Sequence, residues 1–269
     1  MRYGPFLTTV NFSDKNEVRR LFCNRSGRLD VASARLLAIL SAAGCRTVVE
    51  ESEYIDSDFR DSYNRFYYLQ HRDTPRRCQR LHFFSTIVTP RDLGIIPAKA
   101  AFSYLGFAVV RPLPDHRFGR TLLATSVAQS MFGNCYPGEE LFLTCAASHT
   151  VNLAGNQLGL HGTPWMQQDK LVATCASVSI WTANWHMSNR FPRDFRKFTI
   201  ARITDLAVQF NMSTGRAMPS AGLTIEQIIL ALQSLAGCGK TRFEADGVPR
   251  NSLVSTAQPD KKKACVEKS

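Results

Sequence analysis

Between residues 81 and 160 the chain reads as a series of short extended runs, at 81–88, 104–111, 120–125 and 140–147. Each is rich in β-branched or aromatic residues and cut off from the next by proline and glycine, as in Arg111-Pro112-Leu113-Pro114 and Tyr136-Pro137-Gly138. A further extended stretch, 151–160, carries Gly155 and Gly159. Runs of this length and chemistry do not build a helix bundle, yet helical patterns lie on both sides of them. The fold class this allows is a mixed α+β architecture.

The flanking segments carry their own punctuation. Phe6, Thr8, Val10 and Phe12 alternate as a strand does. Asp30 precedes a Leu- and Ala-rich stretch, 31–43, closed by Gly44, which places an N-cap, a helix interior and a C′ glycine in the right order. Residues 46–50 read as a short strand. Ile55, Phe59, Tyr63, Phe66 and Tyr67 then recur at helical spacing, a core-facing stripe that leaves Asp56, Asp58, Asp61 and Arg65 largely to water. After Asp169 helices are expected at 174–187, 204–210 and 224–236. The last opens on the capping box Thr224-x-x-Gln227 and stops at Gly237. Past Lys240 the apolar pattern dissolves into a polar tail with Lys261, Lys262 and Lys263, expected to be poorly ordered. The organisation expected is therefore 1–100 as a mixed α/β region, 101–239 as a second segment, and 240–269 as a tail.

Composition excludes several classes. With 269 residues and 44% hydrophobic content the chain can bury a core. No apolar run approaches the ~20 residues of a membrane span, and the first twelve residues lack a secretory pattern. The eight cysteines are scattered singly, with no CxxC pair, which points to reduced thiols in a cytoplasmic protein rather than to staples or a zinc site. The net charge of +11 is a weak attraction for anionic partners. Arg72, Arg76, Arg77 and Arg80, near Tyr67, Tyr68 and His71, form a basic and aromatic patch able to meet nucleic acid. The commoner role of such a run is a solvated face balancing the acidic stretch 50–61. Gly239-Lys240-Thr241 has Ser234 where a phosphate loop needs its earlier glycine, and it follows a helix. Glu51, Glu53, Asp56 and Asp58 lack the central glycine of a calcium loop. No cofactor or metal is implied.

The most informative segment runs from Gly162 to Trp181. It places Cys175 in the first turn of a helix, where free N–H groups and the dipole favour negative charge on sulfur. Val178, Trp181 and Trp185 form that helix's buried face. Gln168, on the approaching loop, can set its side-chain amide beside the sulfur and, with the Cys175 backbone N–H, form an oxyanion hole. Gln167-Gln168-Asp169-x5-Cys175-Ala176 followed by an aromatic-rich helix resembles the papain-like cysteine peptidase superfamily, in particular its bacterial branches. Leu105-Gly106-Phe107-Ala108-Val109-Val110-Arg111-Pro112-Leu113, Gly119-Arg120-Thr121 and the segments 54–56 and 80–84 resemble the region before the nucleophile in such bacterial proteins. The spacing from Gln168 to Cys175 is slightly longer than usual and calls for a bulge or a longer loop.

The resemblance implies a hydrolase of peptide or isopeptide bonds acting on a peptide or protein, with Cys175 as nucleophile and Gln168 as oxyanion donor. It also implies a histidine base on a later strand. His186 alone follows Cys175, and eleven helical residues put it ~16 Å along the axis. Three accounts follow. The chain is a piece lacking the half that bears the histidine; it is a pseudoenzyme; or, as in circularly permuted relatives, His149 or His161 serves from upstream. The opposing functional class is a non-enzymatic binding module that uses the papain-like groove or the arginine surface.

Overall fold

The structure is a computed structural model, which describes residues 2–3, 6–24, 27–70, 74–114, 117–129, 145–169, 175–208 and 222–235. Its centre is an antiparallel sheet of seven strands. The strands are β1 (Arg2–Tyr3), β2 (Leu7–Asn11), β3 (Thr47–Tyr54), β4 (Cys78–Phe84), β5 (Tyr104–Val110), β6 (Phe118–Leu123) and, at the far edge, β9 (Pro164–Trp165), in that spatial order. Strands β7 (Ala147–Leu153) and β8 (Asn156–Gly162) form a separate hairpin. The boundary expected at residue 100 falls inside the main sheet, since β4 and β5 on either side of it pair directly. The regions 1–100 and 101–239 therefore share one sheet.

Both faces of that sheet are covered, and its sequence shows it. Along β4 and β5 the side chains alternate between two cores. Phe83, Ala108 and Val110 join one with α1 (Lys15–Phe22) and α2 (Val31–Ala42), while Phe84, Phe107 and Val109 join the other with α3 (Ser57–Arg65) and the hairpin. Every residue of β5 is buried, as expected for a central strand shielded on both sides. A third core is helical. It packs α5 (Cys175–Arg190), α6 (Ile200–Val208) and α7 (Ile225–Leu235) around Trp181, which has no exposed surface. A short helix, α4 (Ala98–Phe102), leads into β5.

Local rules set most of these ends. Asp30 accepts from the Ser33 N–H and Gly44 takes φ +69°, so α2 is capped as expected. Thr224 and Gln227 exchange the two bonds of the capping box at the start of α7. The extended stretch 151–160 is the hairpin itself, turning at Ala154 and Gly155, both with positive φ. The strand expected at 46–50 continues to Tyr54, and the helix α1 was not anticipated. Asp14 caps α1 by accepting from Asn16 and Glu17, and Val18, Leu21 and Phe22 bury its inner side. The run 140–144, Gly237 and the tail 240–269 lie outside the described residues.

The α3 stripe needs a correction. The helix starts at Ser57, so Ile55 precedes it and is 55% exposed, whereas Asp56 and Asp58, expected in water, are buried. Asp56 turns inward to cap the Phe59 N–H and to pair with Arg120 at 2.9 Å. Asp58 faces α5. Two glycines permit close strand contacts. A Cβ on Gly106, whose φ is +133°, would collide with the Leu122 carbonyl, and one on Gly162 with that of Leu123.

Candidate functional site

The site is built where the chain leaves the sheet edge. Pro164 and Trp165 pair with Leu122 and Thr121 of β6, after which Gln167 and Phe118 exchange two hydrogen bonds. The Gln167 N–H donates to the Phe118 carbonyl at 3.0 Å, and the Phe118 N–H donates to Gln167 Oε1 at 3.1 Å. On the other side of Gln168, Asp169 is held by a buried ion pair. Arg111 and Asp169 side chains are 5% and 7% exposed and meet at 2.9 Å. The same carboxylate oxygen accepts from Tyr67 Oη at 2.9 Å, and Arg111 also donates to the Gln167 carbonyl at 3.1 Å. Burial pushes the Tyr67 phenol well above its ordinary range, so it stays a donor. Gln168 is thus the exposed residue between two clamped neighbours.

Its partner stands at the first residue of α5. Cys175 is exposed, and its Sγ donates to Gln168 Oε1 at 3.0 Å. The structure therefore brings the two expected site residues together. Residues 170–174, between Asp169 and Cys175, lie outside the described residues. Helix α5 is fixed in place below the cysteine. Trp181 Nε1 donates to Asp58 Oδ1 at 3.1 Å. Asn184 holds the following loop by donating to the Arg196 carbonyl at 3.0 Å and accepting from the Phe198 N–H at 2.9 Å.

The histidines lie elsewhere. His149 packs its ring on Trp185 at 5.9 Å and bonds Asn189 at 3.3 Å. Those residues lie ten and fourteen positions beyond Cys175, about 15–20 Å along the helix axis. Burial first, then repulsion from Lys197, holds its pKa down to about 4. His161 is exposed and sits 3.3 Å from Ser148 Oγ on the hairpin. His82 is wholly buried in β4 against Tyr104 Oη, 2.8 Å away, and burial lowers its pKa to about 4. His71 and His116 lie outside the described residues. Neither upstream candidate for the base contacts Cys175.

Two of the other described thiols, Cys45 and Cys78, are buried where Cys175 is exposed. Burial pushes Cys45 up to about 12 and Cys78 higher still, Cys23 is half-buried and Cys145 is exposed. The arginine patch does not form one solvated surface. Arg80 is buried, pairing with Glu51 at 2.7 Å and lying over the Tyr54 ring at 4.1 Å. Arg77 pairs at the surface with Glu53 at 3.1 Å, and Arg76 lies over the Tyr63 ring. Two of these arginines thus balance Glu51 and Glu53 of the acidic stretch, while Arg72 lies outside the described residues. Among the described residues no cluster of His, Cys, Asp and Glu could hold a metal, and no helix is long and apolar enough to cross a membrane.

Arg111, Asp169 and Tyr67 were not assigned positioning roles from the sequence. Tyr67 reads there as one ring of a core stripe. Arg111 and Asp169 are separated by 58 residues, and no periodic signal relates side chains so far apart. Compared with protein-family models, curated proteins and solved structures, the chain has no match in any of the three.

Proposed function

We propose that the chain carries the nucleophile and the oxyanion donor of a cysteine-peptidase-like hydrolase of papain-like plan, cleaving peptide or isopeptide bonds. One observation carries the reading: an exposed thiol at the start of α5 lies 3.0 Å from the amide oxygen of a glutamine whose two neighbours are both clamped. The chemistry follows from those groups. Sγ, once its proton has passed to a base, attacks the carbonyl carbon. The carbonyl oxygen gathers negative charge and receives hydrogen bonds from Gln168 Nε2–H and the Cys175 backbone N–H. Collapse breaks the C–N bond, the amine leaves with the proton, and water then hydrolyses the thioester. His149 bonds Asn189 and His161 lies against Ser148, so neither is bonded to Sγ. Thiols at Cys23, Cys45, Cys78 and Cys175 that form no disulfide suit a reducing compartment such as the cytoplasm.

Among the described residues no histidine is bonded to Cys175 Sγ, which favours a second reading, a binding module that keeps the groove without the chemistry. A thiol-directed electrophile at neutral pH, mapped by peptide mass spectrometry, separates the two. The hydrolase requires Cys175 to be modified ahead of the other seven cysteines. Slow labelling at the same rate on every accessible thiol rules the hydrolase out.

A further inference from the structure

Beyond the second half of α5, between that helix, β7 and the sheet, lies a cavity of about 440 Å³, within the range of small-molecule sites. It is separate from Cys175, since Trp185 on its wall is ten residues further along the helix, about 15 Å. Its lining combines the rings of Phe107 and Trp185 with three cations, Arg80, Arg120 and Lys197. Arg80 is balanced by Glu51 at 2.7 Å and Arg120 by Asp56 at 2.9 Å. Lys197 is exposed and lies over the Trp185 ring at 4.4 Å, with no carboxylate at ion-pair distance among the described residues. One positive charge is left over.

The buried polar atoms of the lining make the stronger argument. His149 Nε2, Trp185 Nε1 and Arg120 Nε are all buried without a hydrogen-bond partner. His149 is itself nine-tenths buried. The Asn189 amide nitrogen, 3.3 Å from His149 Nδ1, has only hydrogens to give, so Nδ1 accepts. The neutral ring then carries its proton on Nε2, and the Gly162 carbonyl interacts with the ring. All three orphaned atoms are therefore donors. Buried donors are ordinarily satisfied, and their complement is an acceptor-rich, negatively charged group.

We propose that this cavity binds a small organic oxyanion, a carboxylate or a phosphate monoester on a planar body, with its oxygens on Lys197 and the unpaired N–H groups and its body against Phe107 and Trp185. The proposal does not depend on the chemistry of Cys175. The test titrates the full chain with benzoate and with phenyl phosphate at low salt, read by tryptophan fluorescence and calorimetry. Saturable binding of at least one is expected, weakened about tenfold or more by Lys197→Met, a change at an exposed position that leaves the fold intact. His149→Phe should weaken it similarly, and Arg76→Gln should leave it unchanged. Inorganic phosphate, which lacks the planar body, should bind more weakly than phenyl phosphate. No saturable binding of either probe up to about 10 mM, or equal affinity in Lys197→Met, overturns the proposal.

Discussion

Replacing Asp169 by alanine removes the carboxylate that compensates Arg111 in a nearly dry environment, where the two side chains are 5% and 7% exposed. The guanidinium keeps its bond to the Gln167 carbonyl, but a neutral acceptor does not offset a buried charge. Breaking such a pair from one side costs about 3–5 kcal/mol. The Tyr67 hydroxyl loses its acceptor at the same time, a cost that overlaps with the first and does not simply add. Against a total stability of about 5–15 kcal/mol for a natural domain, the variant should sit close to the edge of folding. Urea unfolding followed by tryptophan fluorescence should show the midpoint falling by about 1–2 M, taking a slope of about 2–3 kcal/mol per molar. The double variant Arg111→Met with Asp169→Leu removes both charges and should recover most of the loss, to within about 1–2 kcal/mol of the parent. A loss below about 1 kcal/mol in Asp169→Ala, or a double variant as unstable as the single, would show that the ion pair does not hold the Gln168 loop.

Other outcomes test the rest of the account. Gly106→Ala should cost about 3 kcal/mol or more, because its Cβ meets the Leu122 carbonyl at a φ of +133°, whereas Gly159→Ala, with nothing near its Cβ, should stay within about 1 kcal/mol. Equal denaturation midpoints for the two would refute that packing. His82 and His149 have folded pKa values near 4, below the ordinary 6.5. Their contribution is complete above pH 6.5 and is lost as pH falls from there through about 4, on the order of 3 kcal/mol each. Replacing His149 by phenylalanine should flatten the loss of stability between pH 6.5 and 4.5, and an unchanged slope would count against its neutral burial. Asp58 works in the opposite sense. Burial and the neighbouring Asp56 raise its pKa, so protonation as pH falls favours the fold. Asp58→Asn, which keeps an acceptor for Trp181, should therefore gain on the parent at pH 8 and lose that gain by about pH 4. A constant difference across this range contradicts the assignment.

Much of the architecture was legible because its signals are local. The caps at Asp30 and Thr224 and the apolar runs of β4 and β5 each fix a short piece of backbone on their own, whereas the turn at Ala154 and Gly155 falls inside what reads as one extended run. Cys175 and Gln168 were legible for the same reason, as a helix start and a residue on the loop leading to it. What the sequence concealed is the contact between distant segments. Asp56 and Asp58 sit on what reads as the wet side of a helix, and only the arrival of Arg120 and of Trp181, 123 residues away, makes that side an interior. The clamp on Asp169 draws on Tyr67 and Arg111 from two other parts of the chain, and hydrophobic periodicity carries no information about such polar pairings.

The central claim, that Cys175 and Gln168 form an acyl-transfer pair, is tested most directly by comparing acylation with alkylation of the same thiol. p-Nitrophenyl acetate passes through a tetrahedral oxyanion, whereas iodoacetamide displaces iodide and forms none. Gln168→Ala should slow acylation of Cys175 by about 10²–10³, measured as the p-nitrophenolate burst and mapped by mass spectrometry, while alkylation of Cys175 by iodoacetamide changes less than about threefold. An acylation rate that falls no further than the alkylation rate would contradict the account.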